Sequence, residues 1–369
     1  MDKAQSNRPE GTTYAAAGVD SAAEEQGLKS LLGWVGKTLA LRQGIGASKL
    51  PIGYFAAVVD IGNDTGLAIS TDGVGTKLLV AQMMNKYDTI GIDCVAMNAN
   101  DVLCVGAEPI SMVDCVSIQE VNPDLLAEIG KGLYEGARLA NINIPAGEIA
   151  QIRDIIKGER EGYGFDLVGT CVGLVPLSKI IIGQDVQPGD TVVGLRSNGI
   201  HSNGLTLARE VFFRKRRMDP YAYVPELGKS AGEELLQPTR IYVAEVLEML
   251  HSGLDIKALI HVTGDGFLNL TRVMAEVGFV IDNLPEPQPV FNLIQKWGQV
   301  ADEEMFRVFN MGIGFCVIVS PKDADAVVAI AQRHGVDAFK IGQAVADAEK
   351  KIVLPSWGLR GKGDSFYRS

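Results

Sequence analysis

Ser70-Thr71-Asp72-Gly73-Val74-Gly75-Thr76-Lys77 follows directly on the apolar Leu67-Ala68-Ile69, so a strand runs into an acidic residue, two glycines and a Thr-Lys pair. A strand ending this way suits a phosphate and its metal. Gly73 and Gly75 let the backbone approach an anion with no Cβ in the way. Asp72 is a ligand type for Mg²⁺, and Lys77 offsets phosphate charge as a point cation. The stretch is neither G-x-x-x-x-G-K-[ST] nor G-x-G-x-x-G. Taken alone, it is explained equally well as a structural glycine turn.

Working outward, residues 54–61 and 67–70 read as strands joined by Gly62-Asn63-Asp64-Thr65-Gly66, a strong hairpin-turn sequence. Upstream, Leu28, Leu31, Leu32, Val35 and Leu39 mark one face of a helix that ends at the loop Arg42-Gln43-Gly44-Ile45-Gly46-Ala47-Ser48. Residues 1–20 are polar and predicted to be poorly ordered up to about Tyr14. Downstream, helices are predicted at 78–84, 92–105 and 123–140, with strands at 111–118 and 165–174. Pro176 and the turn Gln187-Pro188-Gly189-Asp190 punctuate the chain, placing a boundary between 1–176 and 177–369. Beyond it come a strand at 191–195, helices at 204–215 and 240–252, a strand at 309–319 and a helix at 324–334. The proline-rich 282–289 is a linker or a surface loop. This irregular mixture predicts two mixed-sheet α/β (α+β) domains rather than a strict Rossmann alternation.

The 369 residues are 47% hydrophobic and 21% charged, the profile of a well-packed globular chain long enough for two cores. A net charge of −11 argues against a nucleic-acid or anionic-membrane surface, but not against a nucleotide carried with a metal. No apolar run is long enough to span a membrane, and no secretory h-region opens the chain. Five cysteines without a C-x-x-C pair point to a reducing cytoplasm and not to a disulfide framework. With only four histidines, any divalent metal is expected on oxygen ligands.

Further constellations carry polar groups into apolar surroundings. On the 92–105 helix, Asn98 and Asp101 lie three apart and can project an amide and a carboxylate to one site. Ile144-Pro145-Ala146-Gly147-Glu148 reads as a tight turn presenting Glu148. Asp72, Asp101 and Glu148 together would suffice to hold Mg²⁺ with water completing the octahedron. Arg196-Ser197-Asn198-Gly199-Ile200-His201-Ser202-Asn203-Gly204 is a strand–loop–helix junction, the kind that aims backbone N–H groups at an anion, with His201 in it. Strand-to-turn sequences recur at His261-Val262-Thr263-Gly264-Asp265-Gly266-Phe267 and Phe309-Asn310-Met311-Gly312-Ile313-Gly314. There is no nucleophilic triad, thiolate motif or basic stripe. Phosphoryl chemistry by positioning and electrostatics fits this inventory.

The ordered set resembles the phosphoribosylformylglycinamidine cyclo-ligase, or aminoimidazole ribonucleotide (AIR) synthetase, family. It comprises residues 70–77, Asp88-Thr89-Ile90-Gly91-Ile92-Asp93 with Asn100-Asp101 and Gly106-Ala107-Glu108-Pro109, Gly199 to Gly204, Pro238-Thr239-Arg240-Ile241-Tyr242, and the two strand-to-turn sequences, with Ala17-Gly18-Val19-Asp20 ahead of them. The resemblance implies a cytoplasmic homodimer that pairs its N-terminal sheets. The N-terminal domain (1–176) would bind ATP and Mg²⁺, and the C-terminal domain (177–369) would complete the cleft. ATP would activate the formyl oxygen of formylglycinamidine ribonucleotide for ring closure. Asp72, Asp101 and Glu148 are then the implied Mg²⁺ ligands, with Asn98 nearby. Lys37 and Lys77 are the implied phosphate neutralisers, and His201, Asn203 and Glu148 lie at the reacting centre. Gly73, Gly75, Thr76, His261, Thr263 and Gly264 line the cleft.

The chain departs from the family pattern in four places. Ala146-Gly147-Glu148-Ile149 stands where Gly-Gly-Glu-Thr is usual, and Asp265 interrupts a glycine run. Ile200 replaces a proline, and Gly44-Ile45-Gly46-Ala47 replaces Gly-Gly-Phe-Gly. The alternatives are a related ATP-dependent kinase or synthetase acting on another acceptor, or a silent nucleotide-binding protein. A selenophosphate synthetase should carry a cysteine near the N-terminal glycine loop, and none precedes Cys94.

Overall fold

The Asp60 carboxylate accepts the Gly62 N–H at 2.8 Å, and Asn63 and Asp64 take left-handed φ of 52° and 55°, which short polar side chains tolerate. This closes the predicted hairpin in a computed structural model that describes residues 11–15, 17–18 and 21–368. Most of the 1–20 reading, and Val19 and Asp20 of the 17–20 motif, fall outside those residues.

The first half contains α1 (Ser21–Val35), β1 (Ala57–Asp60), β2 (Thr65–Gly73), α2 (Lys77–Met84), α3 (Ile90–Leu103), β3 (Glu108–Ile118), α4 (Pro123–Ala140), β4 (Asn143–Gln151) and β5 (Phe165–Pro176). Its sheet runs β1-β2-β5-β3-β4, antiparallel except for the β3/β4 pair, which the α4 crossover makes parallel. Pro123 opens α4, and the Asn122 side chain caps it by accepting the Asp124 and Leu125 N–H groups. Helices α3 and α4 meet at Gly91 and Gly132, where a Cβ on Gly91 would lie 2.0 Å from the Leu133 nitrogen. Only glycine permits that approach, and it seats α3 on the sheet. The opposite face of the sheet is open, with Val113, Cys115 and Leu174 exposed on it.

The reading of 144–148 as a tight turn is corrected. The segment is edge strand β4, and Pro145 falls in its register shift against β3, where no ladder N–H is needed.

The second half contains β6 (Thr191–Arg196), α5 (Leu205–Arg209, continuing as a π-turn to Lys215), the short hairpin β7 (Tyr223–Val224) and β8 (Lys229–Ser230), α6 (Ala231–Leu235), α7 (Val243–His251), β9 (Ile256–His261), β10 (Val277–Ile281), α8 (Pro289–Gly298), α9 (Asp302–Val308), β11 (Ile313–Val319), α10 (Ala324–Arg333), β12 (Ala338–Ala346), β13 (Ile352–Leu354), β14 (Leu359–Lys362) and β15 (Ser365–Arg368). The long sheet runs β15-β14-β13-β10-β12-β6-β11-β9. Every residue of β11 is buried, consistent with its apolar run Ile-Gly-Phe-Cys-Val-Ile-Val. β9 forms the edge that meets α3 of the first half.

Candidate functional site at the junction of the two sheets

Strand register decides which acidic side chains share a face. Asp72 lies across from Gly169, Gly169 from Asp114, and Asp114 from Gly147, so Asp72 and Asp114 project to the side covered by α3. The Asp72 carboxylate accepts the Gly73 N–H at 2.8 Å. Burial, and then the charge of Asp101, push the Asp72 carboxyl up to about 6. Beneath it Asn98 is fully buried. Its Nδ2 donates to the Asp72 carbonyl (3.1 Å) and the Cys94 carbonyl (2.9 Å), and its Oδ1 has no partner.

The other acidic anchor spans the two halves. The His261 Nδ1 at the end of β9 donates to Asp101 Oδ1 at 2.8 Å, and Ser70 Oγ approaches Asp101 Oδ2 at 3.5 Å. Asn100, next to Asp101 on α3, donates from Nδ2 to the Arg240 carbonyl (2.9 Å), and its Oδ1 accepts the Tyr242 N–H (3.0 Å). One turn of α3 therefore holds both the acidic site and the second half of the chain.

Between the halves lies a cavity of about 250 Å³. Asp72, Gly75 and Thr76 line one side, and Asn203 and Thr206 the other. Gly75 has φ 73°, and nothing lies within 4 Å of where its Cβ would be, so this backbone is open to the cavity. Thr76 Oγ1 meets Thr206 Oγ1 at 2.9 Å across the gap. The opposite loop needs glycine at its turn into α5: Gly204 has φ 83°, and a Cβ there would strike the Phe309 ring at 2.3 Å. Gly264 faces Asn203, whose Oδ1 a Cβ on the glycine would meet at 3.4 Å, and Thr263 is its neighbour in the chain.

Asp72, Gly73, Gly75, Thr76 and Asn203 thus gather at one cavity, with Asp101, Asn98 and His261 packed around its acidic end. Four expected residues do not join them. Lys77 is wholly buried, and its ammonium is spent on Asp93 (2.8 Å) and the Gln237 carbonyl (2.5 Å), so it does not face a phosphate. His201 is 3% exposed at φ 67°, and its Nε2 accepts the N–H groups of Asn198 (3.1 Å) and Arg240 (3.4 Å). Burial, with the neighbouring His261, Lys77 and Arg240 charges, drives its pKa far down, so it is a neutral structural tie. Glu148 pairs with Cys115 on β3, one residue out of phase with the Asp72 row, which turns it to the open face. Among the described residues, no three His, Cys, Asp or Glu side chains gather as a preformed metal cage. Lys37 sits on the exposed turn after α1, its Nζ 3.9 Å from the centre of the Trp34 ring.

Asp93 and Asn100 stand in the sequence motif without an assigned role, and Asp114 escaped the sequence reading. A lone carboxylate in the apolar run of β3 was the available signal for Asp114. Burial pushes its carboxyl up as well, and the absent Gly147 side chain leaves room for it.

The family models described as AIR synthase related protein match residues 53–175 (N-terminal domain) and 187–355 (C-terminal domain). The chain is 49% identical to a phosphoribosylformylglycinamidine cyclo-ligase of Methanocaldococcus jannaschii, over 92% of this chain and 95% of that one. It is 44% identical to that of Pyrococcus furiosus, over 94% and 99%. Among solved structures, a HypE–HypF complex matches at TM-score 0.60 and 19% identity, over 85% of this chain and 93% of that one. The thiamine-monophosphate kinase of Stenotrophomonas maltophilia matches at TM-score 0.58 and 19%, over 86% and 94%. These two share the fold. The chain belongs to the AIR synthase related protein family, among its phosphoribosylformylglycinamidine cyclo-ligases.

Proposed function

We propose that this protein is a phosphoribosylformylglycinamidine cyclo-ligase, which uses ATP to close the imidazole ring of aminoimidazole ribonucleotide. The likeness to archaeal cyclo-ligases along nearly the whole chain carries the reading. The formyl oxygen of formylglycinamidine ribonucleotide takes the γ-phosphoryl group and ADP leaves. The amidine nitrogen adds to the same carbon, the C–O bond breaks, phosphate departs and the nitrogen proton passes to solvent. An amide oxygen leaves poorly, whereas a phosphate leaves well once the nucleophile is held in reach.

The acidic end of the cavity fits Mg²⁺. Asp72 is a carboxyl whose ionisation is opposed by burial and by Asp101, and the buried Asn98 Oδ1 is an unused oxygen donor. Asp72 and Asp101 would hold the ion, which supplies charge neutralisation to the phosphates. The backbone at Gly73 and Gly75 and the Thr76 hydroxyl bind and orient the phosphate chain. Asn203 holds the substrate amide from the opposite wall, with Thr263 and Gly264 beside it. Lys37, on an exposed turn, is the remaining candidate to neutralise phosphate. The His261 imidazole fixes Asp101 in orientation.

The working division is 1–176 and 177–369, and the active unit is a cytoplasmic homodimer joined on the open face of the first sheet. The exposed Val113 and Leu174 support that face, and the free cysteines suit a reducing compartment. The test is incubation with Mg-ATP and formylglycinamidine ribonucleotide. ADP and aminoimidazole ribonucleotide are expected in equal amounts, and ADP without the imidazole overturns the substrate assignment.

A further inference from the structure

Lys77 on α2 and Asp93 on α3 form an ion pair in which both side chains are wholly buried, outside the cavity, and the pair reaches the second half through Gln237, Thr239 and Ser202. Asp93 Oδ1 accepts the Lys77 ammonium at 2.8 Å, the Thr239 N–H at 2.7 Å, the Thr239 hydroxyl at 2.6 Å and the Ser202 hydroxyl at 3.3 Å. Asp93 Oδ2 has no partner, so every donor converges on a single oxygen. Lys77 Nζ also holds the Gln237 carbonyl, and the Ser202 and Thr239 hydroxyls meet at 3.0 Å. Two loops of the second half, around 198–204 and 237–242, are thus pinned to α2 and α3 of the first half. His201 ties the same two loops to each other through the Asn198 and Arg240 N–H groups.

We infer that Lys77 and Asp93 are positioning residues, an internal latch that sets Ser202 and Asn203 against the Asp72–Thr76 wall of the cavity. The inference rests on the cyclo-ligase reading for its kinetic arm alone. A buried ion pair contributes little net stability compared with apolar side chains of similar volume, because desolvation offsets its attraction. What it supplies is direction. Lys77 opens α2 one residue after Thr76, and Ser202 precedes Asn203, so both ends of the latch are covalently next to cavity-lining residues. Displacement by even 1 Å at such a place costs catalysis far more than it costs folding.

The test is the double variant Lys77→Met/Asp93→Leu, which removes both charges together, with Thr239→Val as the isosteric partner that leaves the ion pair in place. Three quantities are measured: melting temperature, amide hydrogen exchange of 198–204 and 237–242 in the ligand-free protein, and kcat with KM for ATP. The latch predicts a melting temperature within a few degrees of wild type for Thr239→Val and a lowered one for the double variant, whose Thr239 N–H and two hydroxyls lose their acceptor. It further predicts exchange at least about tenfold faster in both segments, and kcat down at least about tenfold with KM for ATP within about threefold. Exchange or kcat at the wild-type level in the folded double variant overturns it, and where that variant does not fold the same outcome in Thr239→Val does. A wild-type protein that makes no imidazole product contradicts the cyclo-ligase reading instead, and leaves the exchange result to decide the latch.

Discussion

Asp72 is held in a state that favours a positive partner: its carboxyl is buried, faces a second carboxylate and is pushed up to about 6. Its ionisation therefore costs folding energy in the metal-free protein. The ordinary value is 3.8, so the cost is absent below about pH 4, grows as pH rises through the window up to 6, and is fully present above it. Asp72→Asn is expected to raise the metal-free melting temperature at pH 7.5, with the gain vanishing as pH falls towards 4, measured by calorimetry across that range. The same variant is expected to lose at least about a hundredfold in kcat with Mg-ATP. Glu148 behaves oppositely. Its strand phase turns it from the Asp72 row, so Glu148→Gln should leave the Mg²⁺ concentration dependence of turnover unchanged, as titrated kinetics would show.

At the scale of elements, the close crossing of α3 and α4 is what lets one helix serve both sheets. Gly91→Ala inserts a Cβ 2.0 Å from the Leu133 nitrogen. It is expected to cost about 3 kcal/mol in urea denaturation, since backbone and not a flexible side chain must move. Elements with clear periodicity were legible from sequence: α4 spans the predicted 123–140, and the hairpin turn at 62–66 and strands β3, β5 and β6 lie close to where they were predicted. β4 was not legible, because Ile-Pro-Ala-Gly-Glu has no alternation and its proline reads as a turn. α7 begins at Val243, later than predicted, because the N–H groups of Thr239, Arg240 and Tyr242 are taken by Asp93, His201 and Asn100. Lys77 was misread for a related reason. A lysine closing a glycine-rich motif looks alike whether it points to a ligand or, as the first residue of α2, into the protein.

Across the whole molecule, two mixed sheets meet along α3, and the cavity lies in their seam. Leu31, Trp34 and Val113 are all exposed in the single chain. Val113→Asp is expected to convert a dimer to a monomer by light scattering, with the far-ultraviolet circular dichroism spectrum retained. The family resemblance was carried by motifs whose order along the chain is one-dimensional information. The pairing of Asp101 with His261, 160 residues apart, was not, because it depends on β9 being the edge strand beside α3.

In the proposed reaction ATP is spent on the formyl oxygen, and isotope transfer follows that atom. Formylglycinamidine ribonucleotide carrying ¹⁸O at the formyl position is turned over with unlabelled ATP, and the released phosphate is analysed by mass spectrometry. One ¹⁸O is expected in each phosphate formed with the imidazole. Ring closure with unlabelled phosphate, the ¹⁸O passing to water, would contradict it.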